Sequence, residues 1–219
     1  MIKTIKETNL TWINIDQVDN EVLLFLKQNY NFHQLDLEDI QSEVHTPKID
    51  IYKNYLFLVL HFPEWNHEEK KVEISKIDFF VGDGFVITIH HGKNKELKSF
   101  FYRCLKNRRT RADWVGQSSG YLLYHIVQAL FHESRSILNN IGKHVSLMEN
   151  RIFSGEQSVT TIKELALHRR NILTVRRILD PERYLTSNLS HIRKPFLDES
   201  LSIYFDDVRD YLDRMWAIV

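Results

Sequence analysis

The chain has 219 residues, of which 43% are hydrophobic, so it can bury a substantial core in one large domain or two small ones. Lysine plus arginine equals aspartate plus glutamate, at 29 residues each, and this balance excludes a strong global field for nucleic acid or an acidic membrane surface. The single cysteine, Cys104, excludes a disulfide framework and a cysteine-based zinc site. We expect it to be a buried, inert thiol in a reducing compartment.

The amino-terminal residues 1–7 contain no apolar signal core. The longest uninterrupted apolar run, residues 55–60, is far shorter than a membrane span. The chain as given is therefore expected to be soluble, and any electrostatic function must come from a local group of charges.

The first 115 residues predict an α/β head domain with a central mixed sheet. The β-rich runs predicted as strands are 1–7, 12–16, 49–52, 55–62, 72–81 and 85–90. The helices predicted in this part are 19–30, with Asp19 as its cap, 35–43, and 93–106, with Leu97, Phe101 and Leu105 on one face. The run 55–62 is apolar at nearly every position, which is typical of a strand covered on both faces. Gly82-Asp83-Gly84 predicts a hairpin turn.

Residues 116–196 lack convincing strands and predict a long helical hairpin packed beside the head. Ser118 or Ser119 caps a helix that runs to Phe153, a length on the order of 50 Å. Ser158 or Thr160 begins the return helix, whose apolar rhythm continues toward residue 189.

Asp180-Pro181 is predicted to kink or interrupt the return helix. Long helices with apolar seams usually need partners to cover them, so we expect an oligomer.

The last segment, 197–219, predicts the start of a stalk helix. Its apolar residues recur at steps of three and four; they are Leu201, Tyr204, Phe205, Val208, Tyr211, Leu212, Met215 and Val219. No glycine, asparagine or proline closes the pattern, so the helix looks truncated. The predicted fold class is α+β: a mixed-sheet α/β/α head, long antiparallel helices, and a truncated stalk helix.

Four acids crowd two turns of this last helix: Asp206, Asp207, Asp210 and Asp213. Like charges at these spacings repel, and a hard divalent cation with oxygen ligands would relieve the repulsion. The competing interpretation is a solvated acidic face that is neutralised by Arg209 and Arg214.

Other candidate sites are weaker. The eleven histidines lack the spacing of a zinc site, so scattered surface or core positions are expected, with an interface role for His125, His132 and His144. The basic residues at 103–111 suit a solvated helix end rather than a phosphate site. No nucleophile or acid–base signature indicates an enzyme.

Four segments in order resemble the cytosolic part of CorA-type magnesium transporters. They are 55–62 (YLFLVLHF), 78–90 (DFFVGDGFVITIH), 121–130 (YLLYHIVQAL) and 204–210 (YFDDVRD). The resemblance covers nearly the whole chain. It implies an α/β head, two helices beside it, and a stalk helix that leads into the first membrane span of a homopentamer, with the chain at the cytoplasmic face of the membrane. The family's pore signature, Gly-Met-Asn, follows that span and is absent here.

The resemblance also implies a regulatory Mg²⁺ between protomers. By motif position the stalk acid is Asp207, supported by Asp210, and its partner on the neighbour's head loop is Glu68 or Glu69. Asp206 stands where the family usually has arginine, which adds negative charge beside the site. Mg²⁺ is then both the regulatory and the transported ion.

Two alternatives to a magnesium transporter remain open at this point. The zinc-handling ZntB branch is similar in this region, so Zn²⁺, Co²⁺ or Ni²⁺ could replace Mg²⁺. A soluble helical oligomerisation module is the other alternative. No nucleic acid or organic substrate is expected as a partner.

Overall fold

The computed structural model describes residues 1–42, 46–92, 94–155, 159–197 and 200–218. The strands are β1 (Ile2–Lys6), β2 (Thr11–Ile15), β3 (Lys48–Ile51), β4 (Tyr55–Asn66), β5 (Lys71–Gly82) and β6 (Phe85–Ile89). The helices are α1 (Asn20–Asn29), α2 (Gln34–Asp39), α3 (Lys95–Lys106), α4 (Arg108–Val115), α5 (Ser119–Phe153), α6 (Val159–Leu189) and α7 (Leu201–Trp216).

The six strands form one mixed sheet in the order β1-β2-β6-β5-β4-β3. Only β2 and β6 are parallel, and all other neighbours are antiparallel. The predicted turn at Gly82-Asp83-Gly84 joins β5 to β6. Gly84 has a φ of +72°, a left-handed conformation that glycine adopts without strain.

Both faces of the sheet are covered, as the apolar run of residues 55–60 predicted. Phe57, Val59 and Phe80 face α1 and α2 in one core cluster. Leu56 and Phe79 face the other way and pack with residues of α3 to α7 in a second, larger cluster. The period-2 alternation of side chains along β4 and β5 thus supplies two cores. The predicted α/β/α head is confirmed.

The paired strands β4 and β5 extend beyond their neighbours as a two-stranded arm. β3 pairs with β4 only as far as Val59, and β6 pairs with β5 only as far as Asp78. The backbone groups on the outer edges of this arm therefore need partners from outside the sheet.

Helix α6 supplies those partners from two buried polar side chains. The backbone N–H of His61 donates to Glu182 Oε1 at 2.6 Å, and that of Val72 donates to Asn171 Oδ1 at 3.0 Å. The Asn171 amide in turn donates to the carbonyl of Lys70 at 3.1 Å. Because Glu182 and Asn171 are 0% and 1% exposed, these bonds fix α6 across the arm with little competition from water.

Glu182 is a carboxyl group enclosed by the protein. Its Oε2 has no hydrogen-bond partner among the described residues. Burial raises the pKa of Glu182 well above its ordinary value of 4.5, so the folded protein retains the proton at pH values where an exposed glutamate has lost it.

Helix α7 lies parallel to α5. Gly120, near the start of α5, permits close approach, because a Cβ there would lie 2.5 Å from Leu201 Cδ1. Further along, the rings of Tyr124 and Tyr204 are 5.0 Å apart, and those of His132 and Tyr211 are 4.5 Å apart. The predicted cap at Ser118 is present: its hydroxyl accepts from the N–H of Tyr121.

Several predicted element boundaries were wrong. Helix α2 ends at Asp39, short of the predicted residue 43. On α3, Leu105 was expected on the buried face but is 42% exposed, and Cys104 is buried instead. Helix α4 was not predicted, because Asn107 acts as its N-cap within a basic run that has no apolar periodicity. Glu43, Lys93, Ser158 and Val219 of the predicted elements lie outside the described residues.

The predicted break at Pro181 does not occur, because α6 is continuous from residue 159 to residue 189. Proline removes one backbone hydrogen bond, but the neighbouring Glu182 and Leu179 are fully buried against the rest of the protein. Tertiary packing therefore holds the helix through the proline. The domain boundaries at 115/116 and 196/197 stay predictions.

Glu182→Gln should make stability less dependent on pH. Below about pH 4.5, the Glu182 carboxyl of wild type holds its proton in both the folded and the unfolded state. Above that pH only the unfolded chain releases the proton. The free energy of unfolding therefore falls as the pH rises, until the pKa of the folded state is passed. In Glu182→Gln the amide oxygen can still accept from the His61 N–H. Because the amide does not titrate, the variant does not lose stability in this way. We expect it to gain up to about 1.4 kcal/mol per pH unit over wild type.

Urea unfolding followed by circular dichroism from about pH 5 to about pH 8 measures this difference. Glu149→Gln, at an exposed position of α5, is the matched control and should follow wild type. Parallel pH profiles for wild type and Glu182→Gln would contradict the assignment.

Candidate metal centre

One face of α7 is buried against the helical layer and the other carries the acids. The buried residues are Leu201, Phe205, Val208, Tyr211, Leu212 and Met215, six of the eight in the predicted stripe. Tyr204, also in that stripe, is 39% exposed. The amphipathic pattern thus orients α7 so that its aspartates point away from the core.

Three of the four aspartates are paired with arginines. Arg209 lies between Asp206 and Asp210, at 3.3 and 3.2 Å. Asp213 accepts a hydrogen bond from Arg183 of α6. The interpretation of a neutralised acidic face therefore holds for these three residues, although the predicted partner Arg214 instead lies over the ring of Tyr211.

Asp207 is different. It is exposed and has no ion pair or hydrogen bond with any described residue. Burial raises the pKa of Tyr124, and the negative charge of Asp207 raises it further, which places Asp207 beside the first turns of α5. Asp207 is thus the one stalk acid whose charge is left for a ligand outside the described residues.

The predicted loop acids lie at the tip of the β4–β5 arm. The N–H groups of Glu68 and Glu69 both donate to Asn66 Oδ1, at 3.0 and 3.1 Å, and Lys70 has a φ of 49°. This turn is therefore built by a side chain that bonds the following backbone. The carboxylate of Glu69 pairs with Lys71.

Glu68, in contrast, is exposed and has no ion pair with the described residues. It lines a cleft of about 410 Å³ together with Glu64, His67 and Glu73. Lys95 and Lys98 also line this cleft, so Glu68 is an unpaired carboxylate in a surrounding of mixed charge.

Within one chain the stalk acid and the loop acid do not meet. Asp207 lies beside Tyr124, whereas His67, adjacent to Glu68, shares a cleft with Ile137. The helical rise from Tyr124 to Ile137 along α5 is about 20 Å. A cation held by both Asp207 and Glu68 would therefore have to join two chains.

Asp36, Asp39 and Asp50 form a cluster of three carboxylates whose oxygens lie within 4.8 Å of one another. This cluster was not predicted from the sequence. Lys48 Nζ lies 2.6 Å from both Asp39 and Asp50. Both oxygens of Asp36 accept hydrogen bonds from tyrosine hydroxyls, at 2.9 and 2.7 Å. The protein's own ammonium and hydroxyl groups thus satisfy this cluster.

Asp78 is a further buried acid, on β5 beneath α2. Lys76 Nζ lies 3.0 Å from its carboxylate, and the same ammonium donates to the carbonyls of Asp39 and Ser42. Burial raises the pKa of Asp78 to about 7 in spite of Lys76. Lys76 therefore links this acid to the end of α2.

Cys104 is fully buried, and burial raises its pKa to about 12, so the expected inert thiol is confirmed. Among the described histidines, His90 and His168 are buried and His125 is half-buried. His90 lies 3.3 Å from Asn14 Nδ2 in a network that includes Thr88, and His125 lies between the rings of Trp114 and Tyr121.

Residues 7–218, nearly the whole chain, fit the family model described as CorA-like Mg²⁺ transporter protein. The chain belongs to the CorA-like family. Members of this family are transporters of divalent cations rather than enzymes, as the sequence analysis expected.

Individual CorA-like relatives support the assignment. The chain is 25% identical over 206 residues to the cobalt/magnesium transport protein CorA of Thermotoga maritima, covering 92% of this chain and 56% of the relative. It is 19% identical over 207 residues to the zinc transport protein ZntB of Yersinia pestis, covering 94% and 61%. The soluble domain of CorA from Methanocaldococcus jannaschii matches its fold with a TM-score of 0.81 at 17% identity, over 95% of this chain and 81% of that one.

The chain thus spans a little over half the length of the CorA protein of Thermotoga maritima. Among the described residues, no helix combines the length and apolar character that crossing a bilayer requires. The part of a CorA-like protein described here comprises the six-stranded sheet and helices α1 to α7.

Arg183→Ala should loosen the stalk helix. Arg183 pairs with Asp213, and its guanidinium lies 4.7 Å from the centroid of Trp216, so both contacts between α6 and the end of α7 are lost. The expected cost is about 1–2 kcal/mol in the free energy of unfolding, measured by urea denaturation. Arg177→Ala, at an exposed position of the same helix, should cost less than about 0.5 kcal/mol. Equal losses in the two variants would contradict this role.

Proposed function

We propose that the chain is the cytosolic, ion-sensing part of a homo-oligomeric magnesium transporter, a pentamer in the full-length protein, attached to the membrane through spans beyond this sequence. The observation that carries the proposal is Asp207. It is the stalk acid without an ion pair in the described part of the chain, and it lies at the position where the family resemblance places the regulatory ligand.

The chemistry of the proposed site favours Mg²⁺. Asp207, Asp210 and Glu68 offer only carboxylate oxygens, the hard ligands that Mg²⁺ prefers, and exposed positions let the ion keep several of its waters. No histidine or cysteine adjoins Asp207 on α7, so a softer ligand of the kind that favours zinc could come only from His67, beside Glu68 on the arm. The neighbouring acids Asp206 and Glu69 are paired with Arg209 and Lys71, so Asp207 and Glu68 carry the unpaired negative charge of the proposed site.

The helical rise of about 20 Å along α5, from Tyr124 beside Asp207 to Ile137 in the cleft of His67, supports a site shared between subunits. In this arrangement Asp207 of one copy and Glu68 of the next would bind one hydrated ion. The cation would then hold neighbouring stalks together. Its loss would leave facing carboxylates that repel, and the ring would open.

Zinc transport is the second candidate for the whole protein, because a ZntB protein is among the relatives. The identity of the transported ion depends on residues outside this chain. The proposed regulatory site distinguishes the two ions only by its own oxygen ligands, and these support magnesium.

Asp207→Lys should uncouple assembly from magnesium. If Asp207 faces Glu68 of a neighbouring copy across an ion, a lysine at 207 supplies the positive charge directly. We expect wild type to associate in about 10 mM Mg²⁺ and dissociate in EDTA, and Asp207→Lys to associate in both, as measured by sedimentation velocity. Adding Glu68→Lys to Asp207→Lys should abolish association.

Asp113→Asn, which removes an exposed aspartate of α4, is the matched control and should retain the wild-type response to Mg²⁺. Sedimentation of wild type that does not change with Mg²⁺, or equal responses of wild type and Asp207→Asn, would contradict the proposed site.

A further inference from the structure

We infer that a second, chemically different metal site lies between the two helices of the hairpin. Its ligands are His144 of α5 and His168 of α6, with Glu164 of α6 as the third. These side chains suit a borderline ion that takes imidazole nitrogen, such as Zn²⁺, Co²⁺ or Ni²⁺.

The spacing of the His144 and His168 rings supports a shared metal ion. The imidazoles of His144 and His168 come from different helices, with ring centroids 5.4 Å apart and planes inclined by 21°. Two imidazoles on one tetrahedral Zn²⁺, at Zn–N distances of about 2.0–2.1 Å, place their ring centroids about 5 Å apart. The helices therefore already hold the rings at the separation that a shared ion requires.

A buried ring nitrogen of His168 also supports the site. It is 8% exposed, and its Nδ1 is buried without a hydrogen-bond partner among the described residues. An unbonded ring nitrogen in the interior is costly unless a ligand uses it.

The hydrogen bond of His144 determines which of its nitrogens is available. Its Nδ1 lies 2.7 Å from the carbonyl oxygen of Asn140, one turn earlier in α5. A carbonyl only accepts, so Nδ1 carries the proton and Nε2 keeps its lone pair. A histidine that donates from one nitrogen to a backbone carbonyl and binds metal with the other is the usual arrangement in metal sites.

Glu164 is the proposed third ligand, and it lies where an ion would enter from solvent. It precedes His168 by one helical turn, so both side chains lie on the same face of α6, and its charge acts on His168. Glu164 and His144 are exposed, which leaves a path for an ion from solvent. The ligand atoms of the three side chains do not all lie within 4.8 Å of one another, so the Glu164 side chain would have to rotate toward the two rings to bind the ion.

The site is independent of the one proposed on the stalk, because it uses different residues and lies within one chain. An ion bound here would join α5 to α6 nine residues before α5 ends at Phe153. It would stiffen the outer part of the hairpin.

Titration with ZnCl₂, and with CoCl₂ as a spectroscopic probe, tests the inference on protein freed of any affinity tag. We expect one Zn²⁺ per chain, and visible absorption bands of Co²⁺ bound by imidazole. His144→Ala and Glu164→Gln, both at exposed positions, should raise the Kd for Zn²⁺, by at least about tenfold for His144→Ala. His168→Ala should do the same, but its burial makes the exposed variants the deciding ones.

Two controls separate this site from others. His191→Ala removes an exposed histidine distant in sequence and should leave the Kd unchanged. Asp207→Asn should also leave it unchanged, so a failed magnesium site and a failed zinc site give different results. Zn²⁺ should slow proteolysis between α5 and α6 in wild type and not in His144→Ala. An equal Kd for wild type and His144→Ala would overturn the inference.

Discussion

The attachment of α6 to the protruding β4–β5 arm is the constraint on which the remaining structure depends. The arm exposes backbone N–H groups at His61 and Val72 that the sheet cannot satisfy, and Glu182 and Asn171 accept from them in the interior. Leaving either group unpaired would cost about 1–3 kcal/mol. The two bonds therefore fix both the position and the register of α6, and with it the surface on which the stalk helix rests.

The position of α6 in turn decides the charge state of the stalk surface. Arg183 projects from α6 to Asp213, and Arg176 and Arg183 each lie 4.7 Å from the centroid of Trp216. Arg183, together with Arg209 on α7 itself, pairs with Asp206, Asp210 and Asp213. Asp207 has no arginine partner, because it lies near the start of α5, where no described arginine reaches it. The regulatory site proposed on this helix therefore depends on the Asp207 carboxylate and on the ligand that a neighbouring copy would bring to it.

Carboxylates occur in three settings in this chain, and each setting gives them a different role. Asp36, Asp39 and Asp50 are satisfied by Lys48 and by tyrosine hydroxyls, so they hold the α2 side of the sheet together. Glu182 is buried, which raises its pKa, and it accepts a hydrogen bond from the His61 N–H. Asp207 and Glu68 are exposed and unpaired within the described chain, which is the condition for binding an external cation. Burial and pairing, rather than residue type, separate the three roles.

The sequence by itself determined the sheet, the long helices and the family. The apolar run at 55–60 and the three-four rhythm of α5 and α7 depend on local periodicity, which a sequence displays directly. It also placed Asp207 on the stalk. Only the tertiary structure decided that Pro181 does not interrupt α6, because the packing around Leu179 and Glu182 is invisible to a propensity rule. The pairing of Asp213 with Arg183 and the approach of His144 to His168 join residues from separate helices. Their proximity depends on how the helices cross, and spacing along one helix carries no information about that.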